Sequence, residues 1–282
     1  MAPLPSQQPS DNVTPLPGHS AVSDDSHEPL QESTVEEHQD QEFEQPRKRN
    51  RSIYLLPNLF TTSALFSGFY AIIAGMNGEY VNACIAIFVS MILDSLDGRV
   101  ARMTNTQSEF GAEYDSLADM VSFGVAPALV AFTWSLDTLG KLGWIAAFIY
   151  VAGAALRLAR FNVQIGSVDK KYFIGLPSPS AAALVTGMVW VGVDYGIDKH
   201  SMALLGAFIV AAAGILMVSN VSYYSFKQID LKGKVPVMTL MVIALAFAVI
   251  AYQPPTVLWA VFLAYAISGP LLYLRKIRRK LS

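Results

Sequence analysis

From about residue 55 to the C-terminus the sequence is a succession of apolar stretches, at about 55–75, 80–101, 116–136, 142–163, 178–194, 201–219, 236–252 and 256–274, with short polar gaps between them. A helix that crosses a bilayer needs about 20 mostly apolar residues, within a range of about 17–25. Buried helices of a water-soluble domain do not recur so often with such short gaps. The expected fold is therefore an all-α polytopic membrane protein with about eight transmembrane helices. Composition points the same way: only 15% of the 282 residues are charged, against about 25% in soluble globular chains. That deficit excludes an ordinary soluble domain and a wholly disordered chain.

Charge divides the chain into two unlike parts. Residues 1–46 hold 10 acidic residues and no lysine or arginine; the remainder holds 20 basic and 12 acidic residues. The first part is rich in Gln, Glu, Asp, Ser and Pro and cannot bury enough apolar surface to offset the entropy of ordering. It is expected to be a disordered acidic cytoplasmic tail, with residues 47–282 as the transmembrane domain. It lacks the basic start and apolar centre of a secretory signal peptide. The cluster Arg47-Lys48-Arg49-Asn50-Arg51 abuts the first apolar stretch. With the N-terminus inside, the cytoplasmic segments and adjoining helix ends carry 18 of the 20 basic residues, all but Lys141 and Lys199. This asymmetry follows the positive-inside rule and requires an even number of spans, with both termini cytoplasmic. A single cysteine, Cys84, excludes an internal disulfide framework. The four histidines, His19, His27, His38 and His200, lie in the tail and one loop, which leaves no histidine chemistry for the helices. No internal repeat of 20–50 residues is present.

Charges inside spans are costly and usually functional. Four acidic residues gather around one cytoplasmic turn, in the pattern D-x2-D-G-x2-A-R-x8-G-x3-D-x3-D over Asp94, Asp97, Gly98, Ala101, Arg102, Gly111, Asp115 and Asp119. Asp94 and Asp97 are i,i+3 at the end of the second span; Asp115 and Asp119 are i,i+4 at the start of the third. A short connection makes these helices antiparallel neighbours, so all four carboxylates can converge at one depth. Carboxylates so close repel one another, and a hard divalent cation relieves the repulsion. Oxygen ligands alone favour Mg²⁺, Mn²⁺ or Ca²⁺ over Zn²⁺. Two ions about 3.5–4 Å apart would clamp a displacement at phosphorus. Gly98 and Gly111 leave room for a nucleotide, although glycine also serves helix packing. Arg102 could neutralise a phosphate. The alternation of an EF-hand is absent, as is the GxxxxGK[ST] of a P-loop.

The segment Asp94 to Asp119 resembles, at every defined position, the signature of the CDP-alcohol phosphatidyltransferases. The resemblance implies a core of six membrane helices, extended here by further helices. It also implies a divalent metal used to displace CMP from a CDP-linked lipid by an alcohol; with the oxygen ligands above, the expected cofactor is Mg²⁺ or Mn²⁺, two ions in number. By this resemblance Asp94, Asp97 and Asp115 bind metal, and Asp119 serves as base and as a further metal ligand. Three other stretches are similar to the bacterial and archaeal branch that uses L-serine as acceptor. The first is Leu56-Pro57-Asn58-Leu59-Phe60-Thr61 followed by Leu65-Phe66-Ser67-Gly68-Phe69. The second runs from Asp119 to Pro127. The third pairs Leu156-Arg157-Leu158-Ala159-Arg160-Phe161-Asn162 with Phe173-Ile174-Gly175-Leu176-Pro177-Ser178-Pro179. The resemblance covers about residues 53–235 and leaves the acidic tail outside.

Local chemistry leaves two readings open for each of these additions. Asn58 and Thr61, with Gly98, Ala101, Arg102 and Gly111, are candidates for binding the CDP-lipid; a cap and turn after Pro57 would explain the first two equally well. Arg157, Arg160 and Asn162 are candidates for the serine pocket, because a carboxylate pairs well with arginine. Snorkelling to headgroups would explain both arginines without a pocket. The expected reaction joins CDP-diacylglycerol and L-serine to give phosphatidylserine and CMP, in a homodimer of a bacterial inner membrane and without nucleic acid. A sibling enzyme using glycerol-3-phosphate, an inositol phosphate or choline is the nearest alternative. A cation transporter stands further off, since its acidic site would be expected near the membrane midplane. A noncatalytic scaffold is a third possibility.

Overall fold

The computed structural model describes residues 51–104, 106, 108–163, 172–224 and 237–281. The expected acidic tail over 1–46 lies outside the described residues. Helices α1 (Arg51–Met76) and α2 (Tyr80–Met103) form an antiparallel pair. Helix α3 (Glu109–Asp119) continues through a π-helical turn (Met120–Val125) into α4 (Ala126–Trp134) as one rod. A 3₁₀ turn (Leu136–Leu139) leads to α5 (Lys141–Val163). Strand β1 (Tyr172–Ile174), α6 (Ser178–Asp194), α7 (Lys199–Val218), strand β2 (Ser222–Tyr224), α8 (Val237–Tyr252) and α9 (Pro254–Leu281) follow.

The described residues therefore hold eight helical rods, matching the eight apolar stretches. Six rods are long and apolar enough to cross a membrane, so the chain is an integral membrane protein. Helices α6 and α8 are shorter, at 17 and 16 residues. Helix α6 is apolar all round and buried along most of its length, from Ala181 to Val189, as befits a helix at the centre of a bundle. The outer rods turn large side chains outward, among them Phe66, Phe148, Phe208 and Phe247. In water such a surface would drive association; against lipid tails it costs nothing.

The third rod begins earlier than its apolar stretch. Ser108 caps it, its Oγ accepting from the Gly111 backbone N–H at 3.0 Å, and this cap carries the polar residues Glu109 to Tyr114 into the helix. Two connections expected as loops also contain a short antiparallel pair, with Tyr172 opposite Tyr224, Phe173 opposite Tyr223 and Ile174 opposite Ser222. The cause is local. The Gly175 N–H donates to Val221 O at 2.8 Å and the Leu176 N–H to Leu216 O at 3.0 Å, so the entry to α6 is stitched to the exit from α7. The flanking segments then run side by side and satisfy each other's backbone groups. Gly175 has φ +80° and sits against the Met217 carbonyl, which leaves no space for a side chain.

Polar contacts across the bundle fix the helix pairs. The buried Ala64 carbonyl accepts from Ser90 Oγ at 2.8 Å and from Ser122 Oγ at 3.2 Å, joining α1, α2 and the π turn at one level. Buried Tyr150 on α5 donates to Phe123 O at 2.9 Å, supplying a partner for a carbonyl of the widened turn. The last helix is tied to β2: Tyr223 donates to Ala266 O at 3.1 Å and Tyr265 to Tyr224 O at 3.2 Å. Burial, with Tyr265 beside it, pushes the Tyr223 phenol up to about 12, so it remains a donor at neutral pH.

Small residues set the closest approach. Gly153 on α5 lies against the backbone of Gly214 on α7, and Gly214 lies against Ile149 and Tyr150. A side chain there meets main chain that cannot rotate away. Gly153→Val is expected to cost at least the ~1–3 kcal/mol typical of overpacking. Its thermal unfolding midpoint in detergent should fall by several degrees; an unchanged midpoint would show that α5 and α7 do not touch there.

Candidate metal centre

Helix periodicity builds the centre. Asp94 and Asp97 occupy the last turns of α2, and Asp115 and Asp119 the second half of α3. One carboxylate oxygen each from Asp94, Asp97 and Asp115 lie within 4.8 Å of one another. Asp97 is buried and the other two are half-buried. Asp119, one turn along from Asp115, lies within electrostatic reach of Asp94, Asp115 and Asp97. The end of α2 and the second half of α3, both packed on α1 and with little contact between themselves, thus bring all four carboxylates together.

The donor set suits a hard cation. All three clustered ligand groups are carboxylates; Cys84 is buried in the core against Thr186 O, and His200 pairs with Asp198 at 3.7 Å. Oxygens on opposite sides of a Mg²⁺ shell are about 4.2 Å apart, and of a Ca²⁺ shell about 4.6–5.2 Å. A spread of up to 4.8 Å is within a small side-chain rotation of either. The acidic cluster is therefore able to bind a metal.

Neighbouring groups hold these carboxylates in place. Thr61 on α1 is buried, and its hydroxyl lies 2.9 Å from Asp97 Oδ2 and 3.2 Å from Pro57 O. It carries one proton, and the shorter, charge-assisted contact to Asp97 is the stronger. The Gly98 backbone also hydrogen-bonds Asp97. Asn58 is half-buried, and a Cβ added at Gly111 would lie 3.6 Å from its Oδ1 and 3.1 Å from Ser108 Oγ. Gly98 is exposed and faces open space, where an added Cβ would meet nothing within 4 Å. Ala101 is half-buried one turn beyond Asp97. Arg102 is exposed, and its Nε donates to Gly98 O at 2.8 Å, so its guanidinium folds along the rim of α2.

The three serine-pocket candidates separate. Arg157 on α5 reaches the cluster: Asp119 and Tyr265 are its electrostatic neighbours, and its Nη1 donates to Ser178 Oγ at 3.0 Å. Its buried Nε has no hydrogen-bond partner among the described residues. Arg160 instead donates to Val218 O at 3.2 Å and Asn220 Oδ1 at 2.8 Å, a favourable place for a cation at the end of α7. Asn162 donates to Ser116 Oγ at 3.1 Å. Ser116 lies between Asp115 and Asp119 in the chain, so Asn162 braces the acidic helix from the α5 side. Ser178 is not a sequence candidate: it stands within a Pro-rich turn, and only the hydrogen bond from Arg157 sets it apart.

The CDP-alcohol phosphatidyltransferase family model matches residues 54–219. Several curated proteins named CDP-diacylglycerol–serine O-phosphatidyltransferase are similar to the chain. That of Helicobacter pylori is 40% identical over 215 residues, covering 76% of this chain and 90% of the relative. That of Mycobacterium tuberculosis is 32% identical over 228 residues, 79% of each chain. That of Saccharomyces cerevisiae is 40% identical over 215 residues, 68% of this chain and 72% of the relative.

A ligand that binds only the folded state stabilises it, by about 2.7 kcal/mol at a hundred times its Kd. Mg²⁺ or Mn²⁺ should therefore raise the unfolding midpoint of the purified protein in detergent. Asp94→Asn, Asp97→Asn and Asp115→Asn should each remove most of that rise while the protein still folds. An equal rise in all three variants would place the cation elsewhere.

Proposed function

Because the chain belongs to the CDP-alcohol phosphatidyltransferase family, we propose that it transfers the phosphatidyl group of CDP-diacylglycerol to the hydroxyl of L-serine, giving phosphatidylserine and CMP. The observation that carries this reading is the convergence of four carboxylates from α2 and α3 with one arginine, Arg157, facing them from α5. The names of the relatives support serine as the acceptor.

In this reading Asp94, Asp97, Asp115 and Asp119 would hold two ions, Mg²⁺ or Mn²⁺. When bound, these ions polarise the diphosphate and stabilise the charge of departing CMP. Asn58, Thr61, Gly98, Ala101, Arg102 and Gly111 line the CDP-lipid site. Thr61 orients Asp97, and the two glycines leave the nucleotide its space. The serine hydroxyl oxygen attacks the phosphorus next to diacylglycerol, and the bond from that phosphorus to the bridging oxygen breaks. The electron pair leaves with CMP, and Asp119 takes the hydroxyl proton. Arg157 receives the serine carboxylate. Arg160 and Asn162 serve the same pocket by holding the ends of α7 and α3 in place. The enzyme is a homodimer of a bacterial inner membrane, with its site and both termini on the cytoplasmic side. Residues 1–46 form a disordered tail outside the catalytic domain.

Purified protein supplied with CDP-diacylglycerol, radiolabelled serine and a divalent ion should form labelled phosphatidylserine and release CMP. Chelation with EDTA should stop the reaction, and added Mg²⁺ or Mn²⁺ should restore it. CMP release with glycerol-3-phosphate, an inositol phosphate or choline, and none with serine, would assign a different acceptor. Asp119→Asn should lower kcat by about 10²–10⁴-fold, the usual share of a general base, with a smaller effect on lipid KM.

Deleting residues 2–46 should leave turnover in detergent nearly unchanged, since the family match begins at residue 54. A large loss of turnover with normal membrane insertion would make the tail part of the catalytic unit.

A further inference from the structure

The two halves of the acidic cluster ride on helices that scarcely meet. Helices α2 and α3 each pack on α1 but have little contact with one another. The separation of Asp94 and Asp97 from Asp115 therefore depends on how each helix is seated on α1. Thr61 supplies one seat, its hydroxyl 2.9 Å from Asp97 Oδ2. The next residue, Thr62, supplies the other: its Oγ1 lies 2.9 Å from the phenol oxygen of Tyr114, the residue before Asp115. We propose that Tyr114 is a positioning residue of the metal centre: through Thr62 it fixes α3 to the turn of α1 that holds Asp97, and so sets the distance across which the carboxylates share a divalent cation. This rests on the reading of the acidic cluster as the metal site and is independent of the acceptor alcohol.

The hydrogen bond has a direction. A threonine hydroxyl carries one proton, and Thr62 donates it to Asn58 O, one turn back on α1, at 2.7 Å. Tyr114 is then the donor and Thr62 the acceptor. Tyr114 is half-buried, and its ring stacks on Phe110, one turn earlier on α3, with centroids 6.1 Å apart and planes at 12°. The stack restrains the ring, which lowers the entropy lost in aiming the phenol at α1.

The residue after Asp115 is tied as well. Ser116 accepts from Asn162 Nδ2 on α5 at 3.1 Å. The two chain neighbours of Asp115 are thus attached to different helices, Tyr114 to α1 and Ser116 to α5. Side chains two residues apart point about 200° apart around a helix, so the pair holds α3 from nearly opposite sides and fixes its rotation; one attachment alone would let it pivot. Repulsion among the carboxylates works to part α3 from α2, and no direct packing between those helices opposes it. A helix already held in place has less to reorganise when the cation arrives, so the tether is expressed as metal affinity.

Tyr114→Phe tests the inference, because the ring stack survives and only the hydroxyl is lost. Binding of Mn²⁺ to the purified full-length protein in detergent is read directly, as loss of the paramagnetic resonance signal of the free ion. The Kd for Mn²⁺ should rise about three- to tenfold, the scale of one neutral hydrogen bond. Thr62→Val should raise it equally and the double variant no further, as for two members of one contact. Thr62→Ser, which keeps the hydroxyl, should match the parent. A Kd unmoved by Tyr114→Phe, in a parent whose Mn²⁺ binding is lost in Asp97→Asn, overturns the role of Tyr114 alone. So does a lower metal-free unfolding midpoint with an unchanged Kd, which would make the hydrogen bond a packing contact. Additive losses in the double variant would separate Tyr114 from Thr62 and overturn the tether. A parent whose Mn²⁺ binding survives Asp94→Asn, Asp97→Asn and Asp115→Asn overturns the metal centre, and this inference with it.

Discussion

Four like charges drawn to one point at the end of a helical bundle are the constraint around which this protein is arranged. Unit charges a few ångströms apart repel strongly wherever water is scarce, and acidic groups within spans are costly even singly. The chain keeps Asp94, Asp97, Asp115 and Asp119 together by rigid means. Two come from the end of α2 and two from α3, the rods joined by a short capped connection. Thr61 donates to Asp97 from α1, and Arg157 sets a positive charge beside Asp119 from α5. Each helix that touches the cluster supplies something that offsets its charge or fixes its position.

Those helices can stay in place only because their lower halves are locked. Between helices in lipid there is little hydrophobic driving force, so close packing and interhelical hydrogen bonds hold the bundle. The Ala64 carbonyl, shared by Ser90 and Ser122, locks α1, α2 and the third rod. The Gly153–Gly214 contact locks α5 to α7. The π turn at Met120–Val125 begins directly after Asp119. An added residue in a 3.6-residue turn rotates everything beyond it by about 100°. The acidic face and the packing face of the third rod are thereby set independently, with Tyr150 meeting a carbonyl of the widened turn.

The C-terminal helix extends the same logic beyond the residues that define the family. It crosses the described bundle beside α6, where Gly187 lies against Trp259, and it is pinned to β2 by two tyrosines. The short β1–β2 pair has little stability by itself. Its value is positional: it joins the entry of α6 to the exit of α7 and gives α9 a fixed surface.

What the sequence determined by itself was local and periodic. Apolar runs of about 20 residues favour membrane helices, and an i,i+3 pair and an i,i+4 pair flanking a short connection fall at one end of the bundle. The spans, the all-α class and the meeting of the four aspartates were legible for that reason. Tertiary structure decided what depends on the rotation and approach of distant helices. Arg157 and Arg160 are equivalent in sequence, three residues apart on one helix, yet one meets Asp119 and the other closes α7. Asn162 reads as a pocket residue and acts on Ser116. Ser178 carries no local mark of function, since a hydroxyl in a Pro-rich turn has many ordinary uses. Its partner lies 21 residues away. Such contacts follow from packing between helices, where small residues, a π turn and a two-stranded clip set each helix's rotation, and no local period records that rotation.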